Sequence, residues 1–214
     1  MYRAISCLLL SACASLASAA SVTIDTTVDS RDNLYYTSWG HWYTMPSDDA
    51  LGNPASNPAH AVTLNGVAFD FSAFTKLTLS ASGTVVDAGG TATDASGAPC
   101  NNNPSSACYF HDGNFRGQPA YSLIGIWSSS ATSIVPLTSD WQSAIFYVGT
   151  SALLNVPQVG SAYLFLAEND GYFADNSGKY NVHIEATSAV PVPAAGPLML
   201  SGLALLQLVR RKKA

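Results

Sequence analysis

Positive charge is scarce in this 214-residue sequence, and most of it lies near the two ends. Between residues 20 and 189, four Lys and Arg residues stand against fourteen Asp and Glu residues, which gives this segment a net charge of about −10. An acidic surface repels phosphate groups and attracts divalent cations. We therefore expect neither nucleic acid nor anionic lipid as a partner of this segment.

The sequence also lacks the motifs of common catalytic sites. It contains no Gly-x-Ser-x-Gly elbow, which would mark a serine nucleophile. No local motif suggests the two facing carboxylates of a glycosidase. His41, His60, His111 and His183 permit a Ser/His/Asp set on paper, but none has a nucleophile context. We predict that the protein is not an enzyme.

The N-terminus has the order of a secretory signal peptide. Arg3 precedes an apolar run at 4–10, and residues 17–19 are the small-residue pattern Ala-Ser-Ala. These features predict a signal peptide over residues 1–19 and a mature chain that begins at Ala20. Residues 10–13, Leu-Ser-Ala-Cys, also fit a bacterial lipobox, which would leave a lipidated Cys13 instead.

Cysteine is rare, with four residues in the whole chain. Once the signal peptide is removed, Cys100 and Cys108 remain, an even pair of the kind that is oxidised in exported proteins. The seven residues between them have no core-forming character. We predict a disulfide between Cys100 and Cys108 that closes this loop. The alternative, a zinc site, is weakly supported because there is no matching His or Cys pair.

The C-terminus has three parts: a Val-Pro-Val-Pro motif at 190–193, an uncharged apolar run at 194–209, and a basic run at 210–213. The apolar run is slightly shorter than the ~20 residues of a spanning helix, although its flanks can extend it, and the basic run would stay in the cytoplasm. This order resembles the PEP-CTERM sorting signal of Gram-negative bacteria, with Val192 where Glu is usual. The residues that carry the resemblance are Val190, Pro191, Val192, Pro193, Arg210 and Arg211.

The resemblance over 190–214 implies inner-membrane anchoring through a C-terminal helix and then processing by an exosortase. The protein would finally reside at the cell surface or in the extracellular matrix. A plain C-terminal membrane anchor is the alternative. Both readings place residues 20–189 outside the cytoplasm.

Apolar residues between 20 and 189 alternate as in β-strands, and no helical periodicity of convincing length is present. Alternation or apolar runs cover 21–28, 67–71, 76–81, 121–127, 144–148, 162–167 and 180–186. The run at 162–167 is apolar at every position, as in a central strand buried on both faces. In the last segment, Asn181 and His183 lie opposite an apolar face. Short strands separated by Gly, Pro, Ser and Asn predict an all-β fold, either an antiparallel β-sandwich or a jelly roll.

One loop, at 168–178, reads Glu-Asn-Asp-Gly-Tyr-Phe-Ala-Asp-Asn-Ser-Gly and gathers three carboxylates and two side-chain carboxamides. Calcium binds carboxylates, Asn side chains and backbone carbonyls together, and Gly permits the sharp turns that such a site needs. The spacing is not that of an EF-hand. The same residues are also typical of a polar hairpin turn, so the residues alone leave both interpretations open.

The order Asn-Asp, aromatic, Asp-Asn, Ser-Gly and strand resembles the C-terminal calcium loop of the PA-I-like galactophilic bacterial lectins. The resemblance implies that Asp170, Asp175 and Asn176 bind calcium through side chains and Tyr172 through its backbone carbonyl. Residues 77–90 resemble the strand and glycine-rich turn of those lectins, which implies a further ligand at Asp87.

In those lectins the calcium also coordinates two sugar hydroxyls, so Asp170 and Asn176 are the implied carbohydrate-binding residues. The resemblance covers about residues 61–187 and implies a galactose-binding-like β-sandwich. The segment 97–112 takes the place of the loop that contacts galactose, and here it is rebuilt around the cysteine pair. Only the calcium half of the site is therefore carried over.

Together these features predict an ectodomain over residues 20–189 that binds a carbohydrate or exopolysaccharide through calcium and is displayed outside the cell. The alternative is a structural or adhesive surface β-sandwich in which calcium is only structural or absent and no sugar is bound.

Overall fold

The computed structural model describes residues 19–34, 57–86, 90–98, 118–138, 141–170, 173 and 175–189. Most of the predicted signal peptide, the Cys100–Cys108 pair and the sorting segment 190–214 lie outside this range. Strands make up most of the regular structure within it, which confirms the all-β prediction. The described residues contain no helix with the length and hydropathy of a membrane span.

Short strands follow one another along the chain, and residues 21–188 form one compact unit. In chain order the elements are β1 (Ser21–Asp29), β2 (Asp32–Asn33), β3 (Asn57–Pro58), β4 (Thr63–Leu64), β5 (Val67–Ala68), a 3-10 turn (Phe71–Ala73), β6 (Lys76–Val86), β7 (Ala92–Asp94), β8 (Leu123–Ser128), α1 (Trp141–Ala144), β9 (Ile145–Tyr147), β10 (Ser151–Asn155), β11 (Tyr163–Glu168) and β12 (Ser177–Thr187). The larger sheet has the order β1-β12-β6-β10, with β7 also paired to β6. The smaller sheet has the order β11-β8-β9, and the pairs in both sheets are antiparallel.

The larger sheet has one apolar and one polar face. Ile184 in β12 lies opposite Ile24 in β1 and Leu79 in β6, and all three are buried. The next residue back, His183, is exposed on the other face. Because side chains alternate between the faces of a strand, this register confirms the predicted inward and outward residues of the last strand.

Strands β8 and β11 of the smaller sheet are buried on both faces. On one face, residues such as Leu164 and Trp127 share a core with the larger sheet, so the two sheets pack in a sandwich-like arrangement. On the other face, Phe165 and Ile126 pack with Leu34 and neighbouring residues in a second core. Burial on both sides was predicted and explains why the segment 162–167 is apolar throughout. The strand is not central, however, because β11 stands at the end of the sheet order.

The alternating segment 67–71 does not form the single strand that its pattern predicts. Strand β5 ends at Ala68, Val67 is 71% exposed, and Phe71 enters the core from the 3-10 turn. Asp70 redirects the chain, since its carboxylate accepts hydrogen bonds from Ser72 N at 2.9 Å and Ala162 N at 3.0 Å. Burial alone would raise the pKa of Asp70, but these hydrogen bonds outweigh it and lower the pKa.

The apolar run 144–148 also differs from a simple strand. Ala144 is the last residue of α1, and β9 begins at Ile145 and ends at Tyr147. Strand β9 pairs with β8 at the edge of the smaller sheet. The segment therefore contributes only three residues to the sheet.

Candidate metal site

The end of β11 carries three polar residues into the protein interior. Glu168, Asn169 and Asp170 are 2%, 0% and 8% exposed. The backbone nitrogen of Asn169 donates to Ser122 O at 2.9 Å, and its side-chain nitrogen donates to Pro119 O at 3.0 Å. These bonds hold the chain beyond β11 against the segment before β8 and fix the carboxylates on either side of Asn169.

The carboxamide of Asn176 joins both of these carboxylates. Its Nδ2 lies 2.7 Å from Asp170 Oδ2, 3.2 Å from Glu168 Oε2 and 3.1 Å from the backbone oxygen of Ser30. Asn176 is 2% exposed. A carboxamide nitrogen has two hydrogens, so three acceptor oxygens converge on a group that can fully serve only two of them.

Some oxygen atoms of this cluster are buried and make no hydrogen bond within the described residues, and two of them matter here. They are Asn176 Oδ1 and Ser30 Oγ. The two ends of a carboxamide have nearly the same shape, so turning the Asn176 side chain over would exchange Oδ1 and Nδ2. Four oxygens from Ser30, Glu168, Asp170 and Asn176 would then face one another, an arrangement that a bound cation or a proton on one carboxyl would stabilise.

Hydrogen bonds to backbone oxygens hold Ser30 and Asn176 in place. Ser30 N donates to Gly178 O at 3.2 Å, and Arg31 Nε donates to Asn176 O at 3.3 Å. Gly178 has a φ of +95°, and a Cβ at this position would lie 2.4 Å from Thr84 O. Only glycine fits here without a shift, so the Ser-Gly of the predicted loop sets the start of β12.

The buried charge of this cluster affects a neighbouring phenol. Burial raises the pKa of the Tyr180 hydroxyl, and the negative charges of Glu168 and Asp94 raise it further. The hydroxyl donates a hydrogen bond to the backbone oxygen of Tyr121. A divalent cation beside Glu168 and Asp170 would interact favourably with both carboxylates.

The structure brings together two of the five predicted calcium ligands, Asp170 and Asn176. Asp175 is exposed, and Tyr172 and Asp87 lie outside the described residues. No group of three His, Cys, Asp or Glu residues suited to a metal occurs in the described part of the chain. The cluster instead combines two carboxylates with carboxamide and backbone oxygens, which are also ligands that calcium accepts.

Sequence reasoning did not assign Ser30 or Glu168 to the site. Glu168 has a recognisable signal, because it is a carboxylate that ends a strand buried on both faces. Ser30 has none, since it lies 146 residues before Asn176 and reaches it only through the pairing of β1 with β12.

Comparison of the sequence with protein-family models and with curated proteins, and of the structure with solved structures, finds no match.

Proposed function

We propose that the protein is an exported, surface- or matrix-associated protein that binds carbohydrate through calcium. The observation that supports the cation is the convergence of Ser30, Glu168 and Asp170 oxygens on the Asn176 carboxamide. The likeness of the loop to PA-I-like lectins supports the carbohydrate. The signal peptide and the PEP-CTERM-like tail of the sequence support export, sorting by an exosortase and display outside the cell.

Calcium suits the cluster because every group that converges there is a hard oxygen donor. The two carboxylates are also the kind of anionic ligand that attracts a divalent cation. Imidazole and thiolate, which transition metals prefer, are not among these groups. Magnesium is a weaker match, since it requires near-ideal octahedral geometry and usually keeps several of its waters.

Asp170 is the residue through which sugar would meet the cation. It is the most exposed of the four, at 8%, and it directly precedes the Gly-Tyr pair of the loop. In the proposed mechanism Ser30, Glu168 and Asn176 hold the cation from the protein side. Vicinal hydroxyls of the sugar complete the coordination beside Asp170.

A second function is favoured by the burial of the same groups. Ser30, Glu168 and Asn176 are no more than 2% exposed, which is typical of a structural ion. In that case calcium joins the β1–β2 turn to the ends of β11 and β12 and stabilises a surface protein without contacting sugar.

A glycan array probed with the full-length chain in calcium and in chelator separates the two functions. The variant Asp170→Asn keeps the shape of the side chain and removes one charge, and Glu185→Gln is the matched control on the exposed sheet face. We expect glycan capture to fall at least tenfold in chelator and in Asp170→Asn, with Glu185→Gln unchanged. Undiminished capture by Asp170→Asn would contradict the lectin mechanism, and calcium binding without any capture would favour the structural function.

A further inference from the structure

The polar face of the larger sheet carries short hydrogen-bonding side chains in neighbouring strands. Asp25 in β1 lies opposite His183 in β12, which lies opposite Ser80 in β6. Two residues along each strand, on the same face, Thr27, Asn181 and Ser82 form a second row. All six residues are exposed.

These two rows line a shallow groove of about 760 Å³. Its volume lies within the range of roughly 300–1,000 Å³ found for ligand sites. The groove exists because the two rows consist mostly of small side chains. Longer side chains, Lys179 and Glu185, occupy the rows on either side of it in β12.

The side chains of the groove are available to a ligand. No side-chain hydrogen bond within the described residues uses Ser80, Ser82, Thr27 or Asn181. Each of these four can both donate and accept a hydrogen bond.

His183 and Asp25 form a side-chain pair in the groove. The Nδ1 of His183 lies 2.7 Å from Asp25 Oδ1, although both side chains are largely exposed, at 52% and 81%. This contact orients the imidazole and leaves Nε2 for a ligand. The remaining oxygen of the Asp25 carboxylate is a further acceptor.

We infer that this groove binds a segment of a neutral polysaccharide, independently of the calcium site. The inference rests on the proposed function only in taking a carbohydrate as the ligand. Adjacent strands repeat every ~4.8 Å, so the rows offer hydroxyl, carboxamide and imidazole groups at regular intervals. A polysaccharide also presents hydroxyl groups at regular intervals along its chain, and each hydroxyl can both donate and accept a hydrogen bond.

Charge and polarity favour this occupant over others. No Lys or Arg lines the groove, and the ectodomain has a net charge of about −10, so anionic polysaccharides are repelled. An apolar peptide would find no outward apolar side chain in the two rows. A neutral glycan needs only the polar groups that are present.

Native gel electrophoresis of the full-length chain, with chelator and with dextran, galactan or soluble β-glucan in the gel, tests this inference. Ser80→Arg places a long side chain in the groove, and Thr78→Arg makes the same change in the same strand and on the same face, outside the lining residues. We expect one of these polysaccharides to retard the wild type in chelator. The retardation should be lost in Ser80→Arg, fall about fivefold in Asn181→Ala through one lost hydrogen bond, and stay within twofold in Thr78→Arg.

Equal retardation of Ser80→Arg and Thr78→Arg would overturn the inference, as would the absence of retardation by all three polysaccharides. A parallel gel in calcium gives a third outcome that would overturn the inference: Ser80→Arg is retarded in calcium, but retardation is lost in chelator and in Asp170→Asn. That result would place the sugar at the calcium site. The reverse result, with loss only in Ser80→Arg, would support the groove while contradicting sugar binding through calcium. The two proposals can therefore fail separately.

Discussion

Two polar regions of the protein involve strand β12 or the loop before it, and one is buried whereas the other is exposed to solvent. In the buried cluster, Asn176 contacts two carboxylates and a backbone oxygen inside the protein. In the groove, Asn181 belongs to the outer face of β12 and is exposed. The two asparagines are five residues apart in the sequence, and only their surroundings differ.

Burial decides how much a polar side chain contributes to the stability of the folded protein. Water satisfies the groove residues, so their hydrogen bonds add little to stability and can be exchanged for those of a ligand. The cluster excludes water from Ser30 and Asn176, so every unmet hydrogen bond there costs free energy of folding. We therefore expect substitutions in the cluster to lower stability and substitutions in the groove to leave it nearly unchanged.

The largest effect is expected where the backbone itself holds the cluster. Gly178→Ala would bring a Cβ to 2.4 Å from Thr84 O at a φ of +95°, and we expect a loss of about 3 kcal/mol in the free energy of unfolding. Gly160→Ala is the control, because nothing lies within 4 Å of that position. Urea unfolding measures both variants. Equal losses would show that the close contact of Gly178 with Thr84 O does not require glycine.

The two asparagines test the comparison directly. Asn176→Ala removes the donor shared by three buried acceptors, and we expect a loss of about 2 kcal/mol. Asn181→Ala should stay within about 0.5 kcal/mol, as most exposed substitutions do. Urea midpoints of the two variants in chelator measure the difference, and similar values would remove the distinction between cluster and groove.

A smaller and pH-dependent effect is expected at Tyr180, next to the cluster. Tyr180→Phe removes the hydrogen bond to Tyr121 O and should cost about 1 kcal/mol at neutral pH. The pKa of Tyr180 is raised above its ordinary value of 10.0, so above pH 10 the unfolded chain loses a proton that the folded chain keeps. Stability therefore falls as the pH rises through this range. The variant should lose stability less steeply between pH 9 and 11, and an identical slope would contradict the burial of this hydroxyl.

The sequence periodicity predicted the strands that are long and regular, and it failed where one side chain redirects the chain. Strand β12 alternates over its central residues, and β11 is apolar because both its faces are buried. At 67–71 the alternation was equally clear, but the Asp70 carboxylate bonds the backbone of Ser72 and Ala162 and turns the chain. A local pattern cannot reveal a hydrogen bond to a residue 92 positions away.

The candidate site divides in the same way. Asp170 and Asn176 belong to one loop, and it is the resemblance of that loop to the lectin calcium loop that implied a shared role for them. Glu168 and Ser30 join them through tertiary structure, since one ends a buried strand and the other lies in the turn after β1. Local sequence can therefore identify the loop side of such a site but not the side supplied by the rest of the fold.

The most direct test of the proposed calcium site is thermal and urea unfolding of the full-length chain and of Asp170→Asn, each in calcium and in chelator. At a calcium concentration 100 times the dissociation constant, we expect the wild type to gain about 2.7 kcal/mol. Asp170→Asn should gain far less, because it offers the cation one carboxylate fewer. A wild type that gains nothing from calcium, or a variant that gains as much as the wild type, would contradict the assignment of the cluster as a cation site.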